Sequence, residues 1–144
     1  ENVFWGGLTY NSHALGCAAA LANLEVLQEE KLVENAVAMG EVMRGHMDRL
    51  IEKHPSVREA RQIGLFGMVD VQKNSKGESM APYNGSHPSM VALGNFFRDN
   101  GLFTFVRWGS FMCNPPLCIN EEQLGEAFDI IDRGLQITDD AFEG

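Results

Sequence analysis

A long amphipathic segment is the feature of this sequence that most constrains its fold. In residues 31–54, KLVENAVAMGEVMRGHMDRLIEKH, apolar side chains recur at intervals of three and four positions. They are Leu32, Ala36, Met39, Met43, Met47 and Leu50. This spacing predicts an α-helix of about six turns that packs one face on a core and ends near Pro55. The methionines fit that core face better than the alternative, a promiscuous binding surface.

Three further segments have helical character. Residues 14–27, ALGCAAALANLEVL, are rich in strong helix formers. Residues 89–100 predict a short helix, followed by Gly101 at the position that favours a left-handed cap. Asn120 opens a last helix, with Gln123 three residues further on in the position of a capping box.

Short runs of β-branched and aromatic residues predict strands between these helices. Residues 64–73, GLFGMVDVQK, form the first run, and residues 102–108, LFTFVRW, form the second. Residues 111–114, FMCN, are expected to be the hairpin partner of the second run. Residues 74–88 are rich in turn formers and are expected to form a surface excursion. The order helix, helix, strand, helix, strand, strand, helix predicts an α+β fold whose small, largely antiparallel sheet is covered by helices on one face.

Length and charge narrow the classes of function. A chain of 144 residues suffices for one compact domain, and its net charge of −9 argues against a nucleic-acid groove or an anionic membrane surface. No run approaches the ~20 apolar residues that would span a bilayer. No signal peptide is visible after Glu1.

The cysteines indicate a compartment. Cys17, Cys113 and Cys118 make an odd number in a chain large enough to need no disulfides, which predicts reduced thiols and a cytoplasmic location. Cys113 and Cys118 lack a second close pair, and the four histidines are scattered, so no metal site is predicted.

Arg107 is the first candidate for a functional role. Alternation along its strand places Phe103, Phe105 and Arg107 on one face. A guanidinium on an apolar face is costly to bury unless an anion meets it, and its planar fork suits a carboxylate or a sulfonate. The alternatives are a structural salt bridge or an outward-facing arginine on an edge strand.

Thr9 is the second candidate. Gly6 and Gly7 permit tight backbone geometry, so nearby amides and the Thr9 hydroxyl could all point at an anion. The alternative is a loop that merely leads into the first helix, with Asn11 or Ser12 as its N-cap.

The lysines suggest that part of a site is missing. All four of them, Lys31, Lys53, Lys73 and Lys76, fall in helical or turn segments of exposed character. None has the desolvated surroundings expected for a lysine that acts as a nucleophile. The chain is therefore predicted to carry part of a site and not a whole one.

Three stretches carry a resemblance to a known family. Residues 6–27, GGLTYNSHALGCAAALANLEVL, and residues 106–123, VRWGSFMCNPPLCINEEQ, resemble the C-terminal portion of class III (omega) aminotransferases, which use pyridoxal 5'-phosphate. Residues 64–71, GLFGMVDV, are similar to a glycine-rich strand of the same family. The FTFVRW segment is most similar to members that use taurine or other omega-amino acids with pyruvate as acceptor.

The resemblance implies roles for both candidate residues. Thr9 would bind the phosphate of the cofactor in the active site of the neighbouring subunit of a homodimer. Arg107 would hold the acidic group of the substrate. The lysine that forms the Schiff base with the cofactor, and the Asp that pairs with its pyridine nitrogen, would lie upstream of Glu1. The chain alone would then be an inactive fragment of a longer transaminase.

The resemblance also implies a division of the chain. Residues 1–13 would be a phosphate loop that belongs to a missing large domain. Residues 14–54 would be linking and packing helices, and residues 55–144 would be the C-terminal small domain of a fold-type I aminotransferase. The competing hypothesis is a stand-alone α+β module that binds a small carboxylate and performs no chemistry.

Overall fold

The computed structural model describes residues 2–3, 6, 9–10 and 12–144. Within them, four helices and four strands follow one another in the order α1, α2, β1, β2, α3, β3, β4, α4. The helices are α1 (Ala14–Glu29), α2 (Leu32–Lys53), α3 (Pro88–Asp99) and α4 (Glu121–Asp139). The strands are β1 (Val57–Ile63), β2 (Phe66–Val71), β3 (Val106–Arg107) and β4 (Ser110–Cys113).

The four strands form one antiparallel sheet in the order β1-β2-β4-β3. Strand β1 lies at one edge, and a bulge between Val57 and Glu59 shifts its register against β2. This edge strand carries the exposed side chains of Arg58, Glu59 and Arg61. The two-residue strand β3 lies at the other edge.

The hydrophobic core lies between one face of this sheet and helices α2, α3 and α4. On the sheet, Val69 and Phe111 face each other across the β2–β4 ladder and are both buried. On the helix side, Phe97 of α3 packs its ring against that of Phe111, with 5.4 Å between the ring centroids. The predicted α+β fold, with helices on one face of a small antiparallel sheet, is therefore confirmed.

Helix α2 has the predicted core face. Met43, Met47 and Leu50 are all buried in the core. At Gly40, the helix packs directly against the β1–β2 turn: a Cβ atom there would lie 2.9 Å from the Cα of Gly64. The absence of a side chain at position 40 thus sets how closely helix and sheet approach each other.

Helix α1 contributes nothing to this core. Its described residues include no buried side chain, and Leu15, Leu21 and Leu24 are more than half exposed. The high helix propensity of this segment predicted the helix correctly. It gave no indication of which surface the helix covers, because its apolar residues are spread around the axis.

Two strand predictions were incomplete. Strand β1 was missed, because four of its seven residues are polar or charged and only Val57 and Ala60 face the core. Residues 102–108 were predicted as one strand, but only Val106 and Arg107 pair with β4.

The local capping signals were accurate. Gly101 has a φ of +83°, and Asn120 and Gln123 form a reciprocal capping box.

Among the described residues, no helix combines the length and the apolar character that crossing a bilayer would require.

Candidate functional site

The hairpin of β3 and β4 positions Arg107. Val106 pairs with Phe111, and Arg107 pairs with Ser110, so that Trp108 and Gly109 form the connecting turn. The burial of residues 102–108 alternates as predicted, with Phe103, Phe105 and Arg107 exposed. Arg107 therefore projects from the sheet on the same side as the two phenylalanines.

The Arg107 guanidinium rests on aromatic rings. Its Cζ atom lies 4.3 Å from the ring centroid of Trp108 and 6.0 Å from that of Phe105. Within the described part of the chain, it forms neither an ion pair nor a hydrogen bond. The structural salt bridge considered from the sequence is thus absent from these residues. The outward arginine on an edge strand describes the geometry better.

A surface cavity of about 360 Å³ opens beside this guanidinium. Its polar lining comes from Arg61, Arg107 and Ser110, and its apolar lining includes Met68 and Met112. These residues lie on the sheet face that helices α2, α3 and α4 leave open. A second cavity, of about 550 Å³, lies between α3 and residues 103–108 and is also lined by Arg107. The arginine therefore stands at the boundary between two open concave surfaces.

Asp70 organises the polar part of the open face. It accepts hydrogen bonds from Ser110 Oγ at 2.6 Å and from Arg58 Nη2 at 3.0 Å, and Arg61 Nη1 also donates to it. Burial pushes the pKa of Asp70 upward, but the hydrogen bonds from Arg61, Ser110 and Arg58 and the charge of Arg61 outweigh burial. The net effect holds the pKa below its usual value. Asp70 is therefore an ionised anchor that fixes two guanidinium groups.

Sequence reasoning missed this cluster, although one signal was present. Asp70 interrupts the apolar strand FGMVDV, and an acidic residue in a buried strand requires partners. The bulge in β1 allows Arg58 and Arg61 to reach the same carboxylate.

Thr9 lies in an exposed turn before α1. Its hydroxyl forms no hydrogen bond with a described residue, and Tyr10 and Ser12 beside it adopt φ values of +63° and +58°. The N-cap of α1 is His13, whose Nδ1 accepts a hydrogen bond from the Gly16 amide at 3.2 Å. The sequence-based choice of Ser12 is therefore wrong. Asn11 and Gly7 lie outside the described residues.

Thr9 and Arg107 are not brought together. Thr9 lines neither of the cavities beside Arg107. The hydroxyl is nonetheless open to a ligand, as a phosphate contact requires.

The four lysines and Cys113 show no catalytic environment. Lys53 pairs with Asp132, Lys73 pairs with Glu78, and Lys31 and Lys76 are exposed. Burial raises the pKa of the Cys113 thiol to about 12, which keeps it protonated and unreactive. The described residues also hold no cluster of three or more His, Cys, Asp or Glu side chains that could bind a metal ion.

Comparison with known sequences identifies relatives along nearly the whole chain. Residues 3–135 match the family of class-III aminotransferases. The mitochondrial ornithine aminotransferase of Drosophila melanogaster is 38% identical over 130 residues, which make up 90% of this chain and 27% of that protein. The putrescine–pyruvate aminotransferase of Pseudomonas aeruginosa is 30% identical over 135 residues, or 94% of this chain and 29% of that protein.

Comparison with solved structures also identifies aminotransferases. A taurine:2-oxoglutarate aminotransferase from Bifidobacterium kashiwanohense, in complex with PLP and glutamate, matches with a TM-score of 0.87 and 34% identity. The match covers 94% of this chain and 31% of that one. A thermostable omega transaminase from Pseudomonas jessenii matches with a TM-score of 0.81 and 29% identity, over 94% of this chain and 29% of that one.

The architecture is thus that of one part of a fold-type I aminotransferase. The chain belongs to the class III aminotransferase family. It spans between 27% and 31% of the length of the relatives named above.

Proposed function

We propose that this chain is the C-terminal portion of a pyridoxal-phosphate-dependent aminotransferase that moves an amino group from an omega-amino acid or a related amine to a keto acid such as pyruvate. Taurine is one candidate donor, since a taurine aminotransferase is among the similar structures. The observation that carries the proposal is the guanidinium of Arg107. It stands at an open cavity and has no carboxylate partner among the described residues.

The role proposed for Arg107 is to bind the acidic group of the substrate. A guanidinium presents its N–H donors in a planar fork, which matches two oxygens of a carboxylate or a sulfonate. The guanidinium N–H groups of Arg107 have no acceptor among the described residues, so they are available for this purpose. By contrast, Arg61 in the same cavity is already neutralised by Asp70.

Thr9 is proposed to hold the phosphate of the cofactor. The residues of this chain fit that group in part, because an uncommitted hydroxyl in an exposed turn can donate to a phosphate oxygen. When bound, pyridoxal phosphate supplies the electron sink that amino transfer requires. Thr9 would serve the active site of the neighbouring subunit in a homodimer. This arrangement agrees with its lining no cavity in common with Arg107.

The proposal also divides the whole chain into three parts. Residues 1–13 would belong to the large domain, residues 14–54 would link and pack, and residues 55–144 would be the small domain. The exposure of α1 supports this division, because an apolar helix with no buried residue needs a further surface to cover it. Free thiols at all three cysteines support a cytoplasmic location.

The isolated chain is expected to show no transaminase turnover. Its lysines are either paired with carboxylates or exposed, so none is prepared to anchor the cofactor covalently. Borohydride reduction in the presence of pyridoxal phosphate, followed by mass spectrometry, tests this expectation. A stoichiometric adduct on one of the four lysines would contradict it.

Substitution of Arg107 in the full-length enzyme tests the central proposal. Arg107→Ala should lower kcat/KM for an acidic amino donor by about 100-fold or more, since such a pair is worth about 3 kcal/mol. A neutral amine of similar size should be affected far less, because it has no anion for the guanidinium. Arg107→Lys should restore activity only in part, since an ammonium lacks the two-pronged fork. An equal loss for both donor classes would show that Arg107 has only a structural role.

A further inference from the structure

Trp108 adopts an unusual backbone conformation next to Arg107. Its φ of +53° lies in the left-handed region, which glycine and asparagine occupy readily and bulky side chains rarely do. In a two-residue turn between strands, a small residue would remove this strain. A strained residue at the mouth of a cavity is a reason to look for a role of its side chain.

The indole of Trp108 is held from two sides. Arg107 covers it with its guanidinium, 4.3 Å from the ring centroid. The ring of Tyr83 packs against it, with 4.5 Å between the centroids and a tilt of 50°. These contacts join the β3–β4 turn to the loop that precedes α3.

The loop that carries Tyr83 and the turn that carries Trp108 are both fixed to strand β2. Tyr83 follows Met80 and Ala81, which are buried, and the Met80 amide donates to the Val71 carbonyl at 2.8 Å. At the turn, the Val71 amide donates to the Gly109 carbonyl at 2.7 Å. A Cβ at Gly109 would overlap the Ser79 hydroxyl, so the turn and the loop are in close contact. The position of the indole is therefore determined by the end of β2.

This arrangement leaves the N–H donors of the Arg107 guanidinium free to bind a ligand. A cation held over a ring face uses the π-system and not its N–H donors. An arginine side chain that is already held in place loses less conformational freedom when it binds an anion.

We infer that Trp108 is a positioning residue, which holds the Arg107 guanidinium ready to bind the acidic group of an anionic substrate, and that Tyr83 supports Trp108 in this role. The inference rests on the substrate-binding function proposed for Arg107. It adds a residue that would set how strongly the site prefers anionic over neutral donors.

The test compares variants of the full-length holoenzyme. Trp108→Gly removes the ring and also relieves the backbone strain, so it should not lower the melting temperature. The KM for a donor that carries a carboxylate, such as β-alanine, should rise about two- to fivefold, as loss of an exposed cation–π contact implies, while kcat changes little. The KM for benzylamine, a donor without an acidic group, should not change. Trp108→Phe, which keeps an aromatic face, should restore most of the affinity.

Two further variants support the comparison. Tyr83→Ala should raise the same KM in the same direction by a smaller factor, because the indole remains. Asn84→Gly serves as the matched control, since Asn84 also has a positive φ, of +57°, but has no hydrogen bond, ion pair or ring contact with Arg107. Its KM values for both donors should match those of the wild type.

A double substitution separates this inference from the proposed function. If Trp108 acts through Arg107, then Trp108→Gly should have no further effect on KM in an Arg107→Ala enzyme. An unchanged or lowered KM for β-alanine in Trp108→Gly, with Arg107→Ala still selective against anionic donors, would overturn the inference alone. If Arg107→Ala impairs both donors alike, the proposed function itself fails.

Discussion

The Nδ1 atom of His54 lies 2.6 Å from the Oδ2 atom of Asp139, and this contact joins the end of α2 to the end of α4. The other ring nitrogen of His54 lies 3.0 Å from Oδ1 of Asp132. Ser56 Oγ donates to Asp139 at 2.6 Å, which fixes the carboxylate from a second direction. His54 is almost fully buried, so its two ring nitrogens depend on these carboxylates for their hydrogen bonds.

His54→Ala should therefore destabilise the full-length protein by about 2–4 kcal/mol, since it removes a buried imidazole and leaves two partly buried carboxylates without their histidine partner. Denaturant-induced unfolding measures the change. Lys53→Ala is the matched control, because Lys53 also contacts Asp132 but is 61% exposed. It should cost less than about 1 kcal/mol. Equal losses for the two variants would show that the contacts of His54 contribute no more stability than the exposed ion pair of Lys53.

Asp70 predicts a dependence of stability on pH. Its pKa is lower in the folded protein, since the hydrogen bonds from its arginine and serine partners outweigh burial. The carboxylate therefore stabilises the fold fully above the pKa of the unfolded chain, about 4, and this contribution disappears as the pH falls through the lowered folded value.

Asp70→Asn should accordingly lower the melting temperature at pH 7, and its difference from the wild type should shrink below about pH 4. Asp48→Asn provides the control, because Asp48 is exposed and forms no ion pair with the described residues. Its melting temperature should follow that of the wild type throughout. A difference for Asp70→Asn that stays constant down to pH 3 would contradict the prediction.

Two glycines of α2 should respond in opposite ways to the same substitution. Gly40→Ala places a methyl group against the backbone of Gly64, which cannot move aside cheaply, and should destabilise by about 1–3 kcal/mol. At Gly45, no atom lies within 4 Å of an added Cβ. Gly45→Ala should therefore stabilise by about 0.5–1 kcal/mol through helix propensity alone. Thermal melts of the pair measure both changes, and a shift of the same sign would disprove the packing argument.

Thr9→Ala in the full-length enzyme should weaken cofactor retention more than substrate recognition. Loss of one hydrogen bond to a charged phosphate corresponds to about 1.5–3 kcal/mol, or about ten- to a hundredfold in the dissociation constant. Titration of the apoenzyme with pyridoxal phosphate measures that constant. Thr9→Ser, which keeps the hydroxyl, should bind nearly as the wild type does. Identical dissociation constants for Thr9→Ala and the wild type would show that Thr9 does not bind the phosphate and is only part of the loop that leads into α1.

The parts of the fold with a strong local signal were predictable from sequence. The methionine face of α2, the capping box at Asn120 and the left-handed Gly101 depend on residues close together in the chain. Arg107 could also be placed, because the alternation of residues 102–108 indicates which side chains share a face.

The features that sequence did not reveal depend on distant partners. Strand β1 has only two buried apolar residues, so its identity comes from pairing with β2 and not from its own pattern. The Asp70 cluster draws on three strands, and Ser110 lies forty residues further along the chain. Nothing local shows that the ring of Trp108 meets that of Tyr83, because the intervening helix α3 separates them in sequence.

The charged edge of β1 has a consequence for how this chain can polymerise. An edge strand offers unpaired backbone groups to any passing strand, and this template underlies fibril growth. Here Arg58, Glu59 and Arg61 surround that edge with charge, and the bulge after Val57 disturbs its regular spacing. Both features oppose the addition of a strand. Copies of the separated chain should therefore associate through exposed helical surfaces such as α1, and form small oligomers instead of amyloid.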